Sequence, residues 1–297
     1  GVTHVVVISS NFSEVGEEGA RLEKALVETA RRLDLTLVGP NTMGIVNARH
    51  SLYAVGAPVQ LRPGHISFVS QSGNVGANML GWTMNQGIGF SKFVGSGNEA
   101  LLGAADYIDY FGEDDETELI LAYLEGVDDG RSFMQTVSRT CLKKPVIVLK
   151  SGRTEEGGKA AMSHTGSLAG SDHIYDAAFR QSGAIRSETS QDMLDLAKSL
   201  ERLPLPPGDR LGIVTLGGGW GVLATDATAM AGLKLARLDE EVARVCDELL
   251  PPFWSHGNPV DLVGNIYMDT HLAIMEALVK SPEVDCVVML GSLGTGT

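Results

Sequence analysis

Short apolar runs alternate along the chain with segments whose apolar residues recur at helical spacing. In the middle of the sequence, runs typical of buried strands lie at residues 66–69, 90–94, 118–123 and 146–149. Segments with helical spacing lie near residues 75–86, 100–111, 129–140, 172–182 and 190–202. Continuous apolar runs are expected of strands that are buried on both faces, and their alternation with helices predicts an α/β fold with a doubly wound parallel sheet.

The same alternation continues on both sides of this central region. Residues 1–60 predict strand, helix and strand, as at the end of a nucleotide-binding fold, and the alternation resumes after the Pro- and Gly-rich segment at 204–208. The chain begins at Gly1 and stops directly after an apolar run, which predicts a piece of a longer protein with a truncated last unit. The predicted units are residues 1–60, 61–203 and 209–297.

Composition narrows the class of protein. The 297 residues are 43% hydrophobic and carry a formal net charge of −14, which argues against a nucleic-acid-binding surface. No apolar run reaches the roughly 20 residues of a membrane helix, and no signal peptide opens the chain. Cys141, Cys246 and Cys286 are widely spaced, so we expect reduced thiols and a cytoplasmic protein rather than a disulfide framework or a zinc site.

A loop rich in small polar residues connects the first central strand to the next helix. Its sequence is Ser70-Gln-Ser72-Gly73-Asn74-Val-Gly76. Hydroxyls and free backbone N–H groups at the start of a helix favour an anion, so Ser70, Ser72, Gly73 and Asn74 are candidate phosphate-binding residues. A plain serine N-cap is the alternative interpretation.

A glycine run after the first strand of the third unit repeats this design. Gly217, Gly218 and Gly219 precede a helix predicted at 222–231, and glycines let the backbone approach a second anion closely. A short match to a dinucleotide-binding pattern also begins at Gly219. A tight turn that packs the helix against its sheet is the alternative.

A histidine and a glutamate stand at two further strand ends. His164 lies among small residues between a predicted strand and the helix at 172–182, in a type of loop that binds ligands in open α/β sheets. Glu125 ends another buried strand, where a carboxylate is able to bond one imidazole nitrogen and leave the other to react. Both are candidate catalytic residues. A histidine bonded to the backbone and a solvated strand-end glutamate are the alternatives.

Four segments together resemble a known family. They are residues 39–47, 63–73, 163–171 and 258–262. These segments are similar to parts of the α-subunit of succinyl-CoA synthetase and, more closely, to the α-type region of NDP-forming (ADP-forming) acyl-CoA synthetases, over nearly the whole chain. The resemblance implies a remnant Rossmann-like CoA-binding domain followed by two flavodoxin-like ligase domains.

The resemblance also implies an activity. In that family, acyl-CoA and inorganic phosphate give an acyl phosphate, a histidine takes the phosphoryl group, and a nucleoside diphosphate on an ATP-grasp unit receives it. By this resemblance, His164 is the phosphoryl carrier, Glu125 is its orienting carboxylate, and the two small-residue loops hold phosphate. Asn41 and Thr42 fall in the segment that is expected to contact the cofactor, coenzyme A.

Cofactors and partners follow from the same resemblance. The implied cofactors are coenzyme A, inorganic phosphate, and ATP or ADP with Mg²⁺. The nucleotide is expected on an ATP-grasp subunit or fused domain that this sequence lacks. The expected substrate is a small carboxylic acid or its CoA thioester, and an oligomer is expected. Thr42 and Met43 stand where the family often has Cys-Pro or a related pair, so the implied contact to the thioester differs at this point.

Two other classes of function stay open. Protein lysine acetyltransferases carry a related regulatory region that binds nucleotide or CoA without ligase chemistry, and there the histidine is expected to be dispensable. Ser72, Glu125 and His164 also occur in the chain order of a serine hydrolase triad. The sharp turn of such a hydrolase needs glycines where Ser70 and Asn74 stand, so the synthetase is the favoured hypothesis.

Overall fold

The computed structural model describes residues 1–84, 86–158 and 171–291. The chain divides into two units, Gly1–Leu203 and Pro204–Thr297. The boundary between them lies at the Pro- and Gly-rich segment that the sequence predicts to be a linker. The further boundary near residue 60 stays a prediction.

The first unit contains a seven-stranded sheet and a separate two-stranded sheet. Its strands are β1 (His4–Val6), β2 (Thr36–Val38), β3 (Gly44–Asn47), β4 (Leu52–Val55), β5 (Pro63–Ser70), β6 (Phe90–Gly95), β7 (Leu119–Leu124), β8 (Val146–Lys150) and β9 (Ile185–Ser187). Its helices are α1 (Glu17–Arg32), α2 (Gly73–Met84), α3 (Ala104–Glu113), α4 (Gly130–Cys141), α5 (Asp172–Ser182) and α6 (Ser190–Arg202).

The large sheet has the strand order β4-β3-β6-β5-β7-β8-β9. The five strands from β6 to β9 in this order are parallel, which confirms the predicted doubly wound α/β fold. At one edge, β3 is antiparallel to both β4 and β6. The apolar pattern does not predict β3 and β4, because each has only four residues and alternates in burial rather than forming a continuous apolar run.

Two apolar clusters cover the two faces of this sheet. On one face, Phe68 and Phe93 have ring centroids 5.6 Å apart and share a cluster with Leu80 of α2. The adjacent Val69 belongs to the other cluster, with Phe111 of α3. Successive side chains of a strand point to opposite faces, so this packing fixes β5 on both sides and holds the loop at its carboxyl end in place.

The second unit is a smaller parallel sheet built around one strand. Its elements are β10 (Arg210–Thr215), α7 (Gly218–Met230), β11 (Lys234–Leu235), α8 (Glu240–Leu249), β12 (Val260–Asp261), α9 (Met268–Lys280) and β13 (Cys286–Leu290). Strand β10 pairs in parallel with β11, β12 and β13. Helix α7 begins at Gly218, four residues before the predicted start, so two glycines of the run form its first turn. Within the described ranges, no helix has the length and apolar character needed to cross a membrane.

Candidate functional site

A cavity of about 850 Å³ lies in the first unit at the carboxyl ends of β5, β6 and β7. The sequence-predicted residues that line it are Asn41, Thr42, Ser72, Gly73, Asn74 and Glu125. They come from three separate segments of the chain. The carboxyl edge of a parallel sheet is where ligands bind in this class of fold, and the structure brings these candidates together there.

The polar loop between β5 and α2 supplies the helix end of the cavity. Ser70 is fully buried, and its hydroxyl donates to the carbonyl oxygen of Ser72 at 2.6 Å, so it braces the loop from inside. Ser72 Oγ accepts from the backbone N–H of Val75 at 3.4 Å and thus caps α2. Gly73 and Asn74 form the first turn of the helix, so their N–H groups belong to the positive end of its dipole.

The segment after β2 forms another wall. Asn41 adopts a left-handed backbone conformation, with φ of 55°, and its side-chain amide donates to Asn98 Oδ1 at 3.0 Å. The buried hydroxyl of Thr42 donates to the carbonyl oxygen of Gly95 and accepts from the N–H of Gly44, so it ties this wall to the end of β6. At Gly97, with φ of 65°, a Cβ would lie 2.2 Å from the carbonyl oxygen of Pro40, which explains the glycine.

Asn98 and Glu99 also line the cavity, although neither is among the residues predicted from the sequence. Asn98 Nδ2 donates to Glu14 Oε2 at 2.6 Å and to Glu23 Oε2 at 2.8 Å. Glu99 has a left-handed backbone, with φ of 56°, and its Oε1 accepts from the hydroxyl of Ser96 at 2.6 Å. The signal that could have found them is their position in the loop that follows β6, since adjacent parallel strands end at the same edge of a sheet.

Burial raises the pKa of Glu99, although hydrogen bonds from Ser96, Gln71 and the Ala104 N–H oppose the shift. A raised pKa means that the folded state disfavours the ionised carboxylate. The protonated Glu99 carboxyl therefore contributes to the free energy of unfolding. This contribution is fully present below the ordinary glutamate pKa and is lost as the pH rises through the pKa of Glu99 in the folded state.

We expect the Tm of the Glu99→Gln variant, relative to that of the wild-type protein at the same pH, to increase as the pH rises above the ordinary glutamate pKa, because only the wild-type protein loses the stabilising protonated carboxyl. Melting curves at several pH values measure this difference. The exposed Glu28 on α1 offers a matched control, and Glu28→Gln should show no such trend. A Tm difference for Glu99→Gln that falls with rising pH would contradict the assignment.

Carboxylates dominate the charge of the cavity. Among the described residues, no lysine or arginine lines it. Seven carboxylates do: Glu14, Glu23, Glu99, Asp106, Glu125, Asp128 and Asp129. An anionic ligand in the cavity therefore depends on backbone N–H groups and the α2 dipole. Outside the gaps at residues 85, 159–170 and 292–297, no group of three or more His, Cys, Asp and Glu side chains is arranged to hold a metal ion.

The glycine run of the second unit lies between β10 and α7. Gly217 caps α7 with an extended backbone, and Gly218 and Gly219 open its first turn. Below them, Thr215 is fully buried, and its hydroxyl has no hydrogen-bond partner in the described part of the chain. Asp261 Oδ2 lies 3.3 Å from the point where a Cβ of Gly218 would stand. This helix end thus combines free N–H groups with one close carboxylate.

His164 lies outside the described residues, and so does most of the small-residue segment around it. The described structure reaches residue 158 on one side and residue 171, directly before α5, on the other. Glu125 is described, and it lines the cavity directly after β7. The predicted pairing of Glu125 with His164 therefore stays a prediction.

Two family models match the chain. Residues 63–200 match the succinyl-CoA ligase-like flavodoxin domain, and residues 211–295 match the ligase-CoA domain. The chain is 44% identical over 290 residues to the α-subunit of an ADP-forming acetate–CoA ligase from Pyrococcus furiosus, and the match covers 98% of this chain and 63% of that subunit. It is 39% identical to the ADP-forming 4-hydroxybutyrate–CoA ligase of Nitrosopumilus maritimus, covering 96% of this chain and 41% of that protein.

A solved structure gives the same relationship in three dimensions. The dinucleotide-forming acetyl-coenzyme A synthetase 1 of Ca. Korarchaeum cryptofilum, in complex with phosphate and ADP, superposes with a TM-score of 0.91 at 40% identity. The match covers 97% of this chain and 62% of that one, so the chain spans a little under two thirds of this protein and of the P. furiosus subunit. These matches confirm the predicted resemblance: the chain belongs to the ADP-forming acyl-CoA synthetases as an α-subunit-type region, within the succinyl-CoA synthetase superfamily.

Proposed function

We propose that this chain is the α-type component of an acid–CoA ligase that forms ADP. In one direction, phosphate displaces CoA from an acyl-CoA to give an acyl phosphate, His164 takes the phosphoryl group and releases the acid, and ADP takes it from His164 to give ATP. The observation that carries the proposal is the cavity itself, in which the α2 loop, the segment at 41–43 and Glu125 meet at one sheet edge.

The phosphate site is proposed at the start of α2. Ser72, Gly73 and Asn74 line the cavity there, and the helix dipole favours a negative charge. In a cavity whose described charged side chains are all acidic, fixed N–H dipoles hold a phosphoryl group without adding a cation or a competing nucleophile. Ser70 supports this site indirectly, because its hydroxyl is used inside the loop.

The proposed role of Glu125 is to orient His164. For His164 to attack a phosphorus atom, the attacking ring nitrogen must be unprotonated, and the proton must therefore sit on the other nitrogen. A carboxylate that accepts this N–H fixes the tautomer and stabilises the positive charge that develops as the N–P bond forms. Glu125 lies at the cavity edge, as this role requires.

The remaining site residues have proposed roles with separate support. Asn41 and Thr42 line the same cavity as the α2 loop, which supports a contact to coenzyme A close to the phosphate. Gly217, Gly218 and Gly219 open a 13-residue helix with free N–H groups, which supports a second phosphate seat on the other unit. The carboxylate of Asp261 lies close to Gly218 and weakens the positive potential of that second phosphate site.

The partner is proposed to be an ATP-grasp subunit or fused domain that binds ATP or ADP with Mg²⁺. The name of the P. furiosus relative, an α-subunit, supports a separate partner chain, whereas the 41% coverage of the N. maritimus ligase supports a fused arrangement in other members. An oligomeric assembly and a cytoplasmic location belong to the same proposal.

The test is a ligase assay with a set of different carboxylic acids as substrates. The full-length protein and its ATP-grasp unit are incubated with ATP, Mg²⁺, CoA and a panel of acids that includes acetate and 4-hydroxybutyrate. The expected result is acyl-CoA, ADP and phosphate in equal amounts. CoA binding without thioester formation would overturn the proposal and favour the regulatory region of an acetyltransferase, and AMP as the product would indicate a different ligase chemistry.

A further inference from the structure

The backbone of Glu125 and Gly126 lies just beyond the end of the β-sheet hydrogen bonds. Strand β7 runs between β5 and β8, and its last bonds to them run from the Gln71 N–H to the Tyr123 carbonyl and from the Ser151 N–H to the Leu124 carbonyl. Beyond this point, side chains replace the neighbouring strands as partners, which sets Glu125 apart from an ordinary strand-end residue.

Gln71 holds this backbone from the β5 side. Its Oε1 accepts from the N–H of Glu125 at 2.5 Å and from the N–H of Gly126 at 3.1 Å, and its Nε2 donates to the Gly126 carbonyl oxygen at 2.8 Å. The amide oxygen accepts from two backbone N–H groups while the amide nitrogen donates to a backbone carbonyl oxygen, which determines a single orientation of the Gln71 amide.

Lys150 holds it from the β8 side. Its Nζ donates to the Glu125 carbonyl oxygen at 2.8 Å and to the carbonyl oxygen of Ser151, and it lies 4.6 Å from the ring centroid of Tyr175. The residue is only 2% exposed, and the hydrogen bonds of its Nζ go to these two carbonyl oxygens. A buried ammonium that bonds neutral oxygens is costly, and an apolar side chain of similar length would fill the space at lower cost.

We propose that Gln71 and Lys150 are positioning residues, which together clamp the backbone of Glu125 from opposite sides and fix its carboxylate relative to the phosphate loop. Gln71 is itself part of that loop, between Ser70 and Ser72, so the clamp couples the proposed phosphate site to the proposed orienting carboxylate. The inference rests on the proposed function and deepens it, because Gln71 and Lys150 act through Glu125 rather than on the substrate.

The test combines kinetics with hydrogen exchange in the full-length protein and its ATP-grasp unit. Gln71→Met and Lys150→Met keep most of the side-chain volume and remove the bonds to the backbone. Since a misplacement of about 1 Å can cost roughly 100-fold in rate, we expect kcat to fall about 10- to 100-fold, with the KM for CoA changed by less than about 3-fold. In both variants, hydrogen exchange measured by mass spectrometry should be faster in the peptide that spans residues 119–127.

Two kinds of variant serve as references. Gln71→Glu retains the oxygen that accepts from the N–H groups of Glu125 and Gly126, so its exchange rate and its kcat should lie between those of the wild type and Gln71→Met. Gln191→Met and Lys143→Met make the same chemical changes at exposed side chains that bond Asp195 and Glu113 on the surface. They should leave kcat and exchange at 119–127 unchanged, and melting curves of all variants verify that they fold.

Failure of the clamp and failure of the proposed function are distinguishable. If the wild-type protein is active, the Met variants test the clamp alone. Folded Met variants that keep kcat within about 3-fold of the wild type, or whose peptide 119–127 exchanges at the wild-type rate, would overturn the clamp and leave the proposed function standing. A wild-type protein without ligase activity would overturn the proposed function and, with it, the catalytic meaning of the clamp.

Discussion

Replacing Glu125 by glutamine is expected to slow acyl-CoA formation by about 100-fold or more while the protein stays folded. The amide keeps the shape of the side chain and its backbone bonds to Gln71 and Lys150. It loses the negative charge that stabilises a histidine while its N–P bond forms, and its NH₂ group favours the wrong tautomer. Steady-state kcat and the rate of phosphoenzyme formation measure the effect, and both should fall together.

Glu118 provides a matched control for this variant. It lies directly before β7, at the opposite end of the strand that Glu125 follows, and its exposed side chain pairs with His65. Glu118→Gln removes the same charge without altering the cavity, so its kcat should match that of the wild type. A folded Glu125→Gln protein that keeps more than about a third of the wild-type kcat would contradict the orienting role.

The Phe68→Ala variant is expected to lose about 3–5 kcal/mol of unfolding free energy in the first unit. Phe68 is fully buried in β5 and packs against Phe93 at a centroid distance of 5.6 Å. Removing the ring leaves a cavity in a cluster that is closed by α2, and the sheet cannot collapse to fill it. Denaturant unfolding, followed by circular dichroism, measures the loss.

Two variants calibrate this value. Phe68→Leu retains most of the buried volume and should cost less than half as much. Phe253 is 75% exposed, so Phe253→Ala should change stability by less than about 0.5 kcal/mol. A loss below about 1 kcal/mol for Phe68→Ala would contradict the assignment of Phe68 to the core that supports the phosphate loop.

The fold was predictable where strands are long, apolar and central. Strands β5, β7 and β8 lie at predicted apolar runs because parallel strands covered by helices on both faces need apolar side chains throughout. Strands β3 and β4 were missed because the hairpin that they form joins the sheet only through the pairing of β3 with β6, which lies over 40 residues away in sequence. Helix α9 was also missed, since its apolar positions are interrupted by polar and charged residues such as Asp269 and Glu276.

Those site residues that directly follow predicted strands could be predicted from the sequence. Ser72, Gly73, Asn74 and Glu125 follow β5 and β7, and adjacency of these strands brings them into one cavity. Glu99 also follows a predicted strand, β6, but the position of its carboxylate depends on a left-handed backbone and on the hydrogen bond from Ser96, which the apolar pattern does not indicate. The clamp was not predictable either, since Gln71, Glu125 and Lys150 lie at the carboxyl ends of three strands that only the sheet order makes neighbours.

The most direct test of the phosphoryl-transfer account is mass-spectrometric mapping of phosphate on the full-length protein after incubation with its ATP-grasp unit, ATP and Mg²⁺. We expect acid-labile, base-stable phosphate on His164. It should be absent from His164→Ala and retained by His173→Ala, which changes a neighbouring exposed histidine on α5. No phosphate on His164 in the presence of a competent ATP-grasp unit would contradict the account.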